Sequence, residues 1–120
     1  IAERTGGQFR STHDLLHAHA GGNPEATWIW LKSVRALACG IASLINVLDP
    51  EAVLLGGGIA RAGAALFEPL ANALEELEWR PGEHRVKLLR AELGEFAGAV
   101  GAARGGMEPN WARAKTVNKL

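Results

Sequence analysis

Cysteine is nearly absent: Cys39 is the only one in 120 residues. An internal disulfide is therefore excluded, and so is a Cys-rich zinc site within this segment. A reducing compartment, the cytoplasm, is the simple expectation. An excess of charge of one sign is also missing. Thirteen Lys and Arg balance thirteen Asp and Glu, which leaves no electrostatic case for nucleic acid or an anionic membrane as partner. A basic cluster occurs only near the end, at Arg113, Lys115 and Lys119, and it is sparse. Long hydrophobic runs are lacking too. The longest, Ala36 to Leu48, contains Ser43 and Asn46 and is bounded by Arg35 and Asp49. It falls short of the roughly 20 residues that span a bilayer, so a buried helix is expected rather than a membrane segment. No signal-peptide pattern, internal repeat or low-complexity tract is visible.

What is present is a core. Apolar residues make up 48% of the chain, enough for one small folded domain. The chain opens on Ile1 rather than Met, which reads as a fragment or a processed chain. After a loop or edge over the first ten residues, Ser11 or Thr12 can cap a short helix to about Ala20, which Gly21-Gly22 ends. Asn23-Pro24-Glu25 is a strong helix start: a capping side chain, proline in the first turn, then an acid near the positive helix end. Apolar residues at three- and four-residue steps from Ile29 carry that helix to Val47 or Leu48. Asp49-Pro50-Glu51 breaks it.

Ala52 to Leu55 is a short, fully apolar run, the pattern of a strand covered on both faces. A helix is expected from about Ala62 to Leu77, with a kink or a start near Phe67-Glu68 because of Pro69. Trp79 to Gly82 reads as a turn, Arg85 to Ala91 as a second strand, and Gly94-Glu95 as the opening of a last helix through Ala103, stopped by Gly105-Gly106. Apolar strands alternating with helices argue an α/β fold with parallel strand pairing. Residues 1–106 are expected to form the folded part and 107–120 an irregular tail.

The strongest local signal is Val53-Leu54-Leu55-Gly56-Gly57-Gly58-Ile59. A buried strand ending in three glycines lets a ligand touch bare backbone, and ligands of open α/β sheets bind outside the carboxyl ends of strands. A tight turn needing positive φ would use the same residues. The motif is not a P-loop, since no Gly-Lys-Ser/Thr follows, and it is not the dinucleotide G-x-G-x-x-G pattern.

The longer run Ile41 to Gly58, with Asn46, Pro50 and Glu51 before the strand and glycines, resembles the ROK family (repressors, open reading frames and kinases). The resemblance extends through Phe67-Glu68-Pro69-Leu70 to Leu93-Gly94-Glu95-Phe96-Ala97-Gly98-Ala99-Val100-Gly101-Ala102-Ala103. Upstream, Gly22-Asn23 stands where the family usually has Gly-Asp. The resemblance implies a C-terminal piece of an actin-like (ribonuclease H-like) ATPase lobe, with helices packed on a small parallel strand pair. It implies ATP, Mg²⁺ and a hexose as ligands of the complete protein, a homo-oligomer, and Gly56, Gly57 and Gly58 against adenosine or nearby phosphates. A sugar-responsive repressor of the same family is the alternative, and only it would bring nucleic acid as a partner. The family's Asp-Gly-Thr-type phosphate loop, its Asn-Asp pair bearing the general base and its Cys-x-Cys-Gly-x-x-Gly-Cys zinc motif are not in this sequence. No catalytic residue is therefore assigned here, and the chain alone is expected to be inactive.

Other candidates read more plainly. His13 and His17 are four apart, a metal-capable spacing, but no third ligand joins them. They read as exposed helix histidines, His84 as a surface strand start, and Cys39 as a buried packing residue. Trp28 and Trp30 point to different helix faces; either one packs in the core and the other at a lobe or subunit contact, or both are ordinary core residues. Glu75, Glu76 and Glu78 read as a solvated surface. The small residues of Ala36 to Ser43 and of Ala97 to Ala102 suit close approach of a partner backbone.

Overall fold

The computed structural model of the chain describes residues 2–79 and 85–107. Two compact units emerge. One is built from the residues up to Val53 together with Ala62–Leu88, the other from Leu54–Arg61 and the residues from Leu89 onward. His84 and the Arg80–Gly82 part of the expected turn lie outside the described residues, as does the tail beyond Met107.

The first unit holds three helices, α1 (Thr12–Ala20), α2 (Pro24–Leu48) and α3 (Ala64–Leu77). Their starts follow the expected chemistry. The Asp14 N–H donates to Ser11 Oγ at 3.1 Å, and the Ala26 N–H to Asn23 Oδ1 at 3.0 Å. Each satisfies a backbone donor that the first turn leaves orphaned. At the other end of α2, Asp49 takes the left-handed conformation at φ 45° and its N–H closes on the Ile45 carbonyl at 2.8 Å. Pro50 follows and cannot continue the helix.

Helix α2 is the axis of the core. Ala26, Trp30, Val34, Ala38, Ile41, Ala42 and Ile45 are buried, at steps of three and four that keep them on one stripe. They meet Leu15 of α1 and Leu66, Leu70 and Leu74 of α3, all buried. Burying each large apolar side chain contributes about 1.5–3 kcal/mol. By length and composition α2 would suffice to cross a membrane, which the interrupted run at 36–48 did not indicate. The packed stripe buries part of its apolar content, while Trp28, Leu31, Leu44, Val47 and Leu48 are exposed.

Helix α3 agrees with the expected span of about Ala62 to Leu77 and excludes the alternative start near Phe67-Glu68. It begins at Ala64 and carries Pro69 as an internal residue. Proline has no N–H, so it cannot donate to the carbonyl four residues earlier, which is that of Ala65. The Trp30 indole supplies the donor instead, with Nε1 2.8 Å from the Ala65 oxygen. The polar tip of a buried tryptophan and the orphaned carbonyl of a proline-bearing helix satisfy each other.

Polar contacts finish the unit. Arg35 pairs with Glu76 and Arg85 with Glu75, each at 2.9 Å and both exposed, so they add little stability. Hydrogen bonding to Glu76 and its charge hold the Arg35 guanidinium above its ordinary pKa. Asn46 Oδ1 accepts the Trp79 N–H and Glu78 Oε1 the Val86 N–H, each at 3.2 Å. Glu75 and Glu76 thus lie on the surface as expected, whereas Glu78 is half-buried.

Strands β1 (Ala52–Leu55) and β2 (Lys87–Arg90) pair side by side. The Lys87 N–H donates to the Glu51 carbonyl at 3.1 Å and the Ala91 N–H to that of Leu55 at 2.9 Å. Donor and acceptor advance in the same direction, so the strands are parallel. The expectation that β1 is covered on both faces is corrected, because Leu54 is exposed. A parallel sheet buries both faces only where layers lie on each side, and no described residue covers Leu54.

The second unit contains the glycine turn after β1, all but the last residue of a 3-10 helix at Gly58–Ala62, another at Gly94–Phe96, and α4 (Ala97–Met107). Gly105 and Gly106 do not stop α4, which runs through both. A glycine costs a helix about 1 kcal/mol relative to alanine but does not forbid it. Met107, expected in an irregular tail, is its last residue.

Candidate functional site

The two strands end together, and their carboxyl ends open into two neighbouring turns of the second unit. The first is Gly56-Gly57-Gly58; the second runs from Ala91 to Phe96. The Gly57 N–H donates to the Gly94 carbonyl at 3.4 Å, a long bond that ties turn to turn. Within the second turn the Gly94 N–H reaches the Ala91 carbonyl at 3.3 Å and the Phe96 N–H that of Leu93 at 3.0 Å. Gly57 has φ 75° and Gly94 φ 52°, a region costly for residues with a Cβ.

The three glycines differ in what their backbone and surroundings require. A left-handed backbone accounts for Gly57. It does not account for Gly56 or Gly58, which have no positive φ. Packing does not account for them either. A Cβ on Gly56 would stand 3.4 Å from that of Ala91, an ordinary contact, and a Cβ on Gly58 would meet nothing within 4 Å. Gly57 likewise faces open space. Turn geometry therefore explains one glycine of three. Bare backbone beside open space is what close approach of a ligand requires.

The remaining sequence candidates do not converge here. His13 and His17 are exposed on α1, in the other unit. His19, not singled out from sequence, places Nδ1 2.9 Å from Thr27 Oγ1 and so joins α1 to α2. Among the described residues no group of three or more His, Cys, Asp or Glu could hold a metal. Cys39 is exposed, not buried. Ala38 and Ala42 take the buried positions on that part of α2, and Cys39 lies at the edge of their stripe, open to solvent. Trp30 is in the core and Trp28 on the surface, with the Lys32 ammonium 4.7 Å from its ring centre. Gly94 is the residue that sequence reasoning undervalued, as a mere helix opening. The signal was weak: Gly94 stands four residues beyond β2, whereas Gly56 follows β1 directly.

A parallel strand pair with helical connections and a glycine turn at its carboxyl end is an α/β arrangement. A ROK family glucokinase from Streptomyces griseus, solved in complex with glucose and AMPPNP, is similar in structure. The TM-score is 0.66 at 31% identity, over 77% of this chain and 30% of that one. The fold is accordingly part of an actin-like ATPase lobe. Residues 4–104 match the ROK family profile, and the chain belongs to that family. It is 36% identical over 89 residues to a glucokinase of Thermotoga maritima and 31% identical over 93 residues to one of Streptomyces coelicolor. Each match covers 74% of this chain and 28% of the relative, so the chain spans less than a third of the length of the curated relatives it matches.

Proposed function

We propose that this chain is the nucleotide-side portion of an ATP-dependent hexose kinase, and that Gly56, Gly57 and Gly58 form one wall of its ATP site. The complete protein would transfer the γ-phosphate of ATP to a sugar hydroxyl in the cytoplasm, with glucose as the first substrate to try. The observation that carries the reading is the glycine turn. Two of its three glycines are required neither by backbone conformation nor by packing, and they lie at the ligand-binding end of a parallel strand pair. The names of the similar proteins support a kinase rather than a repressor.

The chain's own residues would bind and orient, not react. Gly57 and Gly58 offer backbone that a phosphate or ribose can approach without a side chain in the way. The hydrogen bond from Gly57 to Gly94 holds the two turns in fixed relation, which is the positioning that phosphoryl transfer needs. Bound Mg²⁺ would neutralise charge on the phosphates. The described residues offer no carboxylate cluster for it, so its ligands would be the phosphates and groups elsewhere in the complete protein. The base for the sugar hydroxyl would also come from elsewhere.

The test is sugar-dependent ADP formation by the complete protein against glucose and other hexoses, with the 120-residue chain assayed in parallel. Turnover by the complete protein and none by the chain is expected. Sugar-dependent turnover by the chain alone would overturn the division of labour, and operator binding without turnover would favour the repressor.

A further inference from the structure

We propose that Glu78 sets the register of β2 against β1 and is thereby a positioning residue for the glycine turn. This rests on the assignment of that turn to ATP and adds a residue remote from it.

The two strands do not fix their own register. A register is strongly specified where alternating side chains must bury one face, and neither strand alternates. β1 reads Ala52-Val53-Leu54-Leu55 and β2 reads Lys87-Leu88-Leu89-Arg90. Leu88 is half-buried and Leu89 is 45% exposed. A slip of one residue would exchange one leucine for the other at little cost in burial. The connection from α3 does not fix the register either, because one residue more or less changes its closure entropy little.

A side chain supplies what the strands lack. Glu78, the residue directly after α3, is half-buried, and its Oε1 accepts the Val86 N–H at 3.2 Å. Val86 directly precedes β2. The next N–H, that of Lys87, opens the pairing on the Glu51 carbonyl at 3.1 Å, and the Ala91 N–H closes it on that of Leu55 at 2.9 Å. The carboxylate is thus placed where pairing begins. It is itself anchored, since the neighbouring Trp79 N–H is held by Asn46 Oδ1 at the end of α2. The Arg85–Glu75 pair close by is exposed and contributes little.

The far end of β2 shows what the register controls. The Gly57 N–H reaches the Gly94 carbonyl at 3.4 Å, and a Cβ on Gly56 would stand 3.4 Å from that of Ala91. A slip of one residue moves the strand by about 3.3 Å. That breaks so long a hydrogen bond and brings Arg90 or Glu92 to the place where Ala91 lies against Gly56. Slipped molecules would not bind ATP, and the apparent affinity would fall with the fraction left in register.

The experiment uses the complete protein with Glu78→Met, which keeps the side-chain length and removes the acceptor, and Glu78→Gln, which retains one. Register is read by disulfide trapping. Gly56→Cys with Ala91→Cys sets two Cβ atoms close to the about 3.5–4.5 Å of a bridged pair, and Gly56→Cys with Arg90→Cys or Glu92→Cys reports a slip. Mass spectrometry identifies the linked peptides after oxidation. ATP binding is titrated on proteins without added cysteines. Glu78→Met is expected to lose linkage between positions 56 and 91 and to gain it between 56 and 90 or 92. It should weaken ATP by about 10-fold, the population change that one lost hydrogen bond can produce. The KM for the sugar and kcat at saturating ATP should hold, because bound ATP draws slipped molecules back into register. Glu78→Gln should match the parent. If linkage between 56 and 91 survives Glu78→Met, or is lost equally in Glu78→Gln, the Glu78 acceptor does not set the register. If the linkage moves while ATP binding stays unchanged, the glycine turn is not the ATP site and Glu78 positions nothing for it.

Discussion

The Trp30 indole donates to the one carbonyl in α3 that Pro69 deprives of its helical partner. The two residues are far apart in sequence and meet through Ala65. Removing the donor should leave a part-buried acceptor short of its partner, at a cost toward the low end of about 1–3 kcal/mol. Trp30→Phe is therefore expected to destabilise the chain by about that amount beyond the lost ring area. In a Pro69→Ala background the helix regains its own N–H, and the penalty should shrink. Denaturant melts of the four-member cycle check this; equal penalties in both backgrounds would break the link.

Gly58→Ala separates ligand approach from folding. Its Cβ meets nothing and its φ is unstrained, so stability should stay within about 0.5 kcal/mol of the parent. ATP affinity of the complete protein should nevertheless fall, measurably by calorimetric titration. Unchanged affinity would move the site away from this glycine.

Gly40→Ala tests the small-residue face of α2. In the chain as described, a Cβ there is unopposed, and alanine should stabilise the helix by about 1 kcal/mol. In the complete protein the sign should reverse if another backbone passes close by. Paired thermal melts of the two forms give the answer.

Cys39 offers a chemical readout of the same face. Its exposure predicts alkylation of the folded chain by iodoacetamide at the rate of an ordinary free thiol. Mass spectrometry over a time course measures it, and protection without unfolding would contradict the exposed placement.

Asn23→Ala removes the cap of α2 and should cost about 1 kcal/mol. Asn23→Asp, which restores the family's usual residue, should cost little because its carboxylate can accept the same Ala26 N–H. Urea midpoints of the two variants distinguish capping from a contact made by the amide group.

Much of this was legible before the structure. The helix start at Asn23-Pro24 and the strand from Ala52 to Leu55 depend on neighbours in the chain, and local chemistry determines them. The glycine turn was legible as a motif, but only coordinates could separate Gly57, which the backbone demands, from Gly56 and Gly58, which it does not. What sequence could not supply were relations across distance. Pro69 read as a kink or a late helix start because its compensating donor sits on another helix. Cys39 read as buried because a stripe of small residues has two sides, and spacing alone did not say which side meets the core. Gly105-Gly106 read as a stop because their weak helix propensity was weighed without the residues around them.

The second unit is discontinuous: Leu54–Arg61 and the residues from Leu89 onward are separated by the excursion through α3. No single cut in the gene can excise it. A break anywhere between Arg61 and Leu89 leaves Gly57 on one polypeptide and Gly94 on another. Reassembly of the turn pair from such halves would then depend on their concentration. The same arrangement offers a split-protein format, in which recovery of nucleotide binding reports that two pieces have met.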